Sequence, residues 1–302
     1  MLLPSVDSKM TTPNDRPKMT DDFSAWIGRT EVVSERLDPE RTNALSRALG
    51  DAGGLTIGDP LPALHHWLYF WTVQPPEGLG LDGHPAKGGF LPPIPLPRRM
   101  WAGGRLVFHQ PLLIGDVVTR TSTVLNVSAK TGKSGPLVFV TLRHELSGTL
   151  GTAVIEEQDL VYREPAATGS VAQFAGDGAP SPALWQRAIM PDTVLLFRYS
   201  ALTMNGHRIH YDRPYALEEE AYPALVVHGP LQATLLAALA ERRLTAPLTG
   251  FSFRAQSPAF DGGALHICGN AAENGADLWT EQGGVKSVIA TATCAPLTPE
   301  AD

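Results

Sequence analysis

Two short stretches in the second half of the chain carry groups suited to proton transfer. HRIHYD, residues 207–212, places His210 in a polar loop, and VVHGPL, residues 226–231, leads into an apolar segment. A neutral imidazole can act as a general base near neutral pH. The first backbone N–H groups of a helix can stabilise a developing oxyanion; since Pro230 has no N–H, we expect Gly229 or a residue just beyond it to do so. This combination favours proton transfer beside a carbonyl, and the alternative is a capped turn before a packed helix.

Other chemistries find less support in the residues. His207, His210, Asp212 and His228 could ligate a metal, but no other ligand cluster accompanies them, so no metal site is predicted. GLGLDG, residues 78–83, formally matches a dinucleotide fingerprint. That motif must open a helix, and the HPAKGGFLPPIP that follows cannot be helical. We therefore predict no nucleotide, metal or other cofactor.

Apolar residues at helical spacing predict a helix from about Pro230 to Arg243, with alanines that allow close packing. Asp38 with Pro39 indicates the start of another helix, which closes near Gly50. The segment PALHHWLYFW, residues 62–71, is apolar on nearly all sides, so helix and strand stay open there.

Strand patterns follow Gly104 in four segments, with a hairpin turn at TGKSGP, and strand patterns resume near the C-terminus. A weak repeat relates RLVFHQPLLIGDVV, residues 105–118, to GFSFRAQSPAFDGGAL, residues 250–265, and so suggests two similar halves. Composition divides the chain further, since an Ala/Gly/Ser/Pro-rich stretch separates the halves. The predicted units are a disordered arm at 1–20, an N-terminal half at 21–163, a linker at 164–183 and a C-terminal half at 184–302.

The overall composition restricts the partners. The chain has 302 residues and a formal net charge of −7 without a basic stripe, which argues against nucleic acid. Cys268 and Cys294 lie in apolar strand-like segments, so buried free thiols in a reducing compartment are expected. No apolar run reaches the length of a signal peptide core or a membrane span. These features predict a cytoplasmic protein that does not bind membranes.

The histidine loop resembles the MaoC-like hydratase and dehydratase family. The resemblance rests on HGPL at the helix start and on residues in matching order: Tyr199, Thr203, Met204, Asn205, Gly206, His207, Arg208, Ile209, His210, Tyr211 and Asp212. It is strongest to the branch of mesaconyl-C4-CoA (3-methylfumaryl-CoA) hydratases and mitochondrial-type hydroxyacyl thioester dehydratases, and it extends over most of the chain. It implies an α+β double hot-dog fold, two antiparallel sheets each wrapped on a central helix.

The resemblance also implies a mechanism. In the family, an aspartate and a histidine activate water, and backbone N–H groups polarise the thioester carbonyl. Carried over, His210 is the catalytic histidine and Gly229 supplies the oxyanion contact. Asn205 stands where the aspartate would be, and an amide can orient water but cannot accept its proton. Tyr199 and His228 are assigned to substrate binding.

Arg208 replaces a proline of the family motif and is expected, with Arg213, to bind a carboxylate of the substrate. The alternative for Arg208 is an ion pair with Asp212 or another acidic loop residue.

These residues predict an acyl-CoA hydro-lyase that interconverts an enoyl-CoA and a 3-hydroxyacyl-CoA, with mesaconyl-C4-CoA and citramalyl-CoA as the best single pair. A 3-hydroxyacyl carrier-protein dehydratase of fatty acid synthesis is the alternative enzyme. A non-catalytic acyl-CoA binding module is the alternative of another class. The oligomeric state is left open between a monomer and a homodimer.

Overall fold

Ten antiparallel strands form one continuous sheet in a computed structural model of the chain, which describes residues 22–132, 135–164, 178 and 180–294. Their order across the sheet is β1-β3-β4-β5-β2-β7-β10-β9-β8-β6. The predicted double hot-dog architecture is therefore present, with its two sheets as halves of one. The strands are β1 (Thr30–Arg36), β2 (Arg98–Phe108), β3 (Val117–Gly132), β4 (Gly135–Gly148), β5 (Gly151–Arg163), β6 (Trp185–Ile189), β7 (Leu248–Ala255), β8 (Leu265–Ala272), β9 (Gly275–Gln282) and β10 (Val285–Cys294).

The two halves meet where β2 pairs with β7, from Gly103 opposite Arg254 to Val107 opposite Gly250. Outward from this seam the order is β2, β5, β4, β3, β1 on one side and β7, β10, β9, β8, β6 on the other. The repeated sequence segments begin in β2 and β7, so the repeat reflects equivalent strands. A Cβ on Gly103 would lie 2.5 Å from the carbonyl oxygen of Phe253, and only glycine permits this approach.

Helix α4 (Gly229–Arg243) packs against β7, β8, β9 and β10 and confirms the helix predicted there. Pro230 stands in its first turn, and Arg242 and Arg243 lie in its last turn, where cations favour the helix dipole. The helix is buried on almost every side, which explains its largely apolar composition. Its buried apolar residues are Leu231, Ala233, Leu235, Leu236, Ala237, Leu239 and Ala240.

The N-terminal half lacks a helix of this length among its described residues, which corrects the expectation of one central helix per half. Helix α1 (Pro39–Ala48) is capped by Asp38 as predicted, and the open segment 62–71 contains only a 3₁₀ turn, His65–Leu68. The rest of residues 49–97 is largely irregular, because its prolines and glycines interrupt helices. This half of the sheet is consequently covered by loops as well as helix.

The remaining helices position the predicted site. Helix α2 (Thr193–Thr203) begins at Asp192, and the short helix α3 (Arg213–Glu218) begins at Asp212, each with the aspartate side chain accepting a backbone N–H. Between them lies the 3₁₀ turn Arg208–His210.

Several other expectations have clear outcomes. Strands β3 and β4 form the hairpin predicted around TGKSGP, whose residues 133–134 lie outside the described residues. The edge strands β1 and β6 were not predicted. Cys268 and Cys294 are free thiols, although only Cys268 is fully buried. No helix in the described ranges is long and apolar enough to cross a membrane. The arm at 1–20 and most of the linker at 164–183 lie outside the described residues.

Candidate active site

His210 is held as a neutral imidazole with a defined tautomer. Its ring is buried, and Nδ1 lies 2.7 Å from the carbonyl oxygen of Val226. A carbonyl oxygen can only accept, so Nδ1 carries the proton and Nε2 keeps its lone pair. Burial lowers the pKa of His210 to about 4, and the ring is neutral at pH 7. The backbone of Val226 in turn donates to Ile209, which fixes the turn against the chain leading into α4.

His228 supports His210 from the side of α4. The two rings stack with centroids 3.7 Å apart and an angle of 21° between planes. His228 is fully buried, its Nε2 lies 2.8 Å from the Ser200 hydroxyl, and burial lowers its pKa well below the ordinary value. Tyr199 is also buried, with its ring centroid 4.9 Å from that of His228. Tyr199 and His228, which were assigned to substrate binding, thus pack behind the His210 ring, His228 directly and Tyr199 through His228.

The start of α4 offers backbone N–H groups next to this stack that have no hydrogen-bond partner among the described residues, those of Gly229 and Leu231. His228 precedes the helix, and its carbonyl accepts the first helical hydrogen bond from Gln232. Pro230 has no N–H, and no hydrogen bond from the Gly229 N–H is found among the described residues. A Cβ built on Gly229 would meet no atom within 4 Å, so the space beside this backbone is open. A carbonyl oxygen could therefore approach Gly229.

Asn205 follows α2 after Met204, which ends the helix in a left-handed conformation with φ 51°. Its side-chain oxygen accepts the backbone N–H of His207 at 3.1 Å. Asn205 lines a cavity of about 300 Å³ together with Tyr199 and Pro230. The catalytic roles assigned to Asn205, His210 and Gly229 stay predictions. Of the three residues only Asn205 lines this cavity, and Gly229 directly precedes the lining residue Pro230.

A glycine-rich loop from the N-terminal half covers the histidine loop, which the sequence did not reveal. The carbonyl of Asp82 accepts the backbone N–H of Arg208 at 2.9 Å. A Cβ on Gly83, whose φ is +84°, would lie 2.1 Å from the carbonyl oxygen of Gly206. The two loops therefore touch glycine to glycine. The only sequence signal for this contact is the exceptional glycine and proline content of the long loop.

The same loop adds the imidazole of His84 to the histidines around His210. His84 Nδ1 is 2.9 Å from an Asp82 carboxylate oxygen, and the His84 ring lies 4.4 Å from that of His207. The His207 ring contacts His210 edge-on at 5.4 Å. Burial lowers the pKa of both His84 and His207, which favours the neutral form of each ring.

Asp82, His84 and His207 also form a group whose ligand atoms lie within 4.8 Å of one another. Two neutral imidazoles and a carboxylate could hold a divalent metal ion such as zinc. This set shares only His207 with the four residues considered from the sequence.

The two arginines expected to bind a substrate carboxylate are engaged within the protein. Nε and Nη2 of Arg208 contact the Asp212 carboxylate at 2.9 and 2.7 Å, and Nη1 donates to the carbonyl of Leu81. This is the alternative ion pair considered for Arg208. Arg213 pairs with the carboxylate of Asp261. These contacts do not favour a role for either arginine in substrate binding.

Sequence comparisons show similarity to hydratases and dehydratases of acyl thioesters. The family model for hydroxyacyl-thioester dehydratase type 2 matches residues 64–261. A mesaconyl-C(4)-CoA hydratase of Chloroflexus aurantiacus is 49% identical over 252 residues, which cover 80% of this chain and 86% of the relative. A mitochondrial hydroxyacyl-thioester dehydratase type 2 of Schizosaccharomyces pombe is 28% identical over 72% of this chain and 79% of its own length.

Solved structures show a similar fold at low identity. A MaoC-like dehydratase superimposes with a TM-score of 0.68 at 15% identity and covers 90% of this chain and 98% of its own. A Mycobacterium tuberculosis protein described as a double hotdog fold gives a TM-score of 0.54 at 14% identity, over 88% of this chain and 96% of its own.

Proposed function

The chain belongs to the hydroxyacyl-thioester dehydratase type 2 family, and from this premise we propose that it hydrates an enoyl-CoA reversibly to a 3-hydroxyacyl-CoA. The best single substrate pair is mesaconyl-C4-CoA and citramalyl-CoA, in keeping with the 49% identical hydratase. The structural observation that carries the proposal is the neutral imidazole of His210, which is protonated on Nδ1 and stacks on His228, the residue directly before Gly229 and the start of α4.

These groups divide the reaction between them. His210 Nε2 takes a proton from water as the water oxygen bonds to the β carbon. The electrons of the double bond move to the thioester oxygen, where the Gly229 N–H and the start of α4 stabilise the charge. The α carbon then takes a proton from the His210 imidazolium and restores the neutral ring. Asn205 orients water, since its amide cannot accept a proton.

Neighbouring residues keep the His210 ring oriented and unprotonated. His228, stacked on His210 and bonded to Ser200, prevents the ring from turning away from the substrate. The low pKa of His210 keeps it unprotonated at neutral pH, as a general base requires.

A carrier-protein dehydratase is the second candidate, because the Schizosaccharomyces pombe relative is described as a hydroxyacyl-thioester dehydratase, a name that does not restrict the thioester to CoA. It differs in how the thioester is presented and in the length of the acyl chain. A cytoplasmic location stays a prediction, and light scattering on the purified protein distinguishes a monomer from a homodimer.

The decisive assay follows the loss of enoyl-thioester ultraviolet absorbance with mesaconyl-C4-CoA and crotonyl-CoA. We expect rapid loss with the first substrate and a decrease in rate of roughly 10²- to 10⁴-fold in His210→Gln, the usual effect of removing a general base. His109→Gln, at an exposed histidine, is the matched control. Activity only on carrier-protein thioesters would favour the second candidate, and activity on no thioester would leave a binding module.

A further inference from the structure

The inner face of the N-terminal half of the sheet buries a row of polar side chains. Ser122 on β3 is opposite His144 on β4, and His144 is opposite Glu156 on β5. All three are buried, and the cavity of about 300 Å³ lies over this face. Burying polar groups is costly unless they are bonded. This row supplies the polar part of the cavity lining, and the aromatic part is supplied by Trp67, Tyr69, Phe70, Trp71 and Trp101.

Most of this row is internally satisfied. Glu156 accepts hydrogen bonds from His66 at 2.9 Å, from the Trp67 indole at 3.0 Å and from Gln158 at 2.8 Å. Burial opposes its charge, but these donors lower the pKa of Glu156 to about 2, so it is ionised. His144 contacts the Ser122 hydroxyl at 2.8 Å. The carboxylate therefore does not depend on Arg120 for its hydrogen bonds.

Arg120, also on β3, differs from these residues because its guanidinium is not fully hydrogen-bonded within the protein. It lines the cavity with a side chain that is 22% exposed, and its guanidinium lies 5.4 Å from the Phe70 ring centre. Its nearest acidic partner is Glu31 at 3.6 Å, too long for a good hydrogen bond. Glu35 nearby is paired with Arg41 at 2.7 Å. The buried Nε of Arg120 has no hydrogen-bond partner among the residues that the structure describes.

The position of the cavity links Arg120 to the reaction. Asn205, Thr203 and Pro230 line the same cavity, and Pro230 directly follows the oxyanion donor Gly229. An acyl group whose thioester carbonyl meets Gly229 can extend past Asn205 into this space. In a short dicarboxylic enoyl thioester such as mesaconyl-C4-CoA, the two carbons of the double bond separate the thioester carbon from the carboxylate carbon. The free acid would then face Arg120.

We propose that Arg120 binds the free carboxylate of the acyl group and selects short dicarboxylic acyl-CoA thioesters over fatty acyl chains. The inference rests on the proposed function for the orientation of the thioester. Guanidinium forms charge-assisted bonds to a carboxylate, and a buried, unpaired donor gains most from them. Arg120 thus replaces Arg208 and Arg213 as the expected partner of the substrate carboxylate. The guanidinium groups of Arg208 and Arg213 pair with carboxylates of the protein itself.

Binding of unreactive thioesters tests the inference without turnover. Succinyl-CoA and butyryl-CoA differ only in a terminal carboxylate against a methyl group. By titration calorimetry we expect the unaltered protein to prefer succinyl-CoA, and Arg120→Met to weaken succinyl-CoA binding roughly 10- to 100-fold while butyryl-CoA changes little. Arg120→Lys should restore part of the preference. Arg143→Met, at a half-exposed arginine paired with Glu145 on the same sheet, is the control.

Turnover supplies the second readout. Mesaconyl-C4-CoA and 3-methylcrotonyl-CoA form the matching reactive pair, and Arg120→Met should reduce kcat/KM for the first alone, chiefly through KM. Equal losses on both members of either pair, with an unchanged melting temperature, would overturn the role of Arg120, as would an unchanged preference for succinyl-CoA. A different result would separate the two proposals. If the unaltered protein showed no turnover but still preferred succinyl-CoA through Arg120, the hydratase activity would be refuted and the carboxylate site would be supported.

Discussion

Acid should destabilise this protein through His210 in a way that one substitution can isolate. The imidazole titrates near pH 6.5 in an unfolded chain, and burial lowers its pKa to about 4 in the folded protein. Between these values the unfolded state binds more protons than the folded state. Stability therefore rises with pH across this window and is lost as pH falls from about 6.5 toward 4.

The magnitude follows from the two pKa values. At pH 5 the unfolded imidazole is almost fully protonated and the folded one almost fully neutral, so His210 alone lowers the free energy of unfolding by about 2 kcal/mol relative to pH 7.5. His65 and His144 also have a pKa lowered to about 4 by burial and add to the decrease in the unaltered protein. Glu156, with a pKa of about 2, is ionised in the folded protein at both pH values.

Denaturant unfolding at pH 7.5 and pH 5 measures the effect. His210→Gln should show a decrease in unfolding free energy between these pH values that is about 2 kcal/mol smaller than that of the unaltered protein. Any loss of unfolding free energy that the substitution causes equally at both pH values cancels when the two values are subtracted. The exposed His109→Gln should keep the full decrease. An equal decrease in the His210 variant would refute the claim that this imidazole is held neutral by burial.

Two further substitutions test the contact between loops and the packing of the core. Gly83→Ala should lower both kcat and the melting temperature, because its Cβ would lie 2.1 Å from the Gly206 carbonyl oxygen; Gly89→Ala, with open space around it, should change neither. Normal turnover by Gly83→Ala would contradict the close approach of the loops. Leu236→Ala should lower the free energy of unfolding by about 2–5 kcal/mol in denaturant titrations, since Leu236 is fully buried on α4. A loss no larger than that of Leu184→Ala, at an exposed position, would argue against the helix packing described.

Patterns within short segments predicted much of the fold. The spacing of leucines and the position of Pro230 predict α4 almost to the residue, and the strand patterns after Gly104 predict β2 to β5. These signals are local, because a helix repeats every few residues and a strand alternates. The edge strands β1 and β6 give no clear strand pattern in the sequence, because each is short and only partly buried.

The chemical identity of the site was likewise visible in the sequence. The residue types around His210 and Gly229, together with the family resemblance, indicate a hydratase and its base. The family membership and the hydro-lyase relatives confirm the class of enzyme, and the role of His210 as the base stays a prediction. Substrate selectivity was not visible in the same way, since the motif arginine Arg208 turned out to pair with Asp212.

The sequence by itself determined those helices and strands that begin and end at local signals. It also determined the motif around His210 that indicates the class of reaction. Only the tertiary structure decided that β2 and β7 join the halves, that Asp82 and His84 cover the histidine loop, and that Arg120 faces the cavity. Each of these contacts joins residues far apart in the chain. Such pairings leave no periodic trace in the sequence, because their energy arises only when distant segments bury surface and share hydrogen bonds.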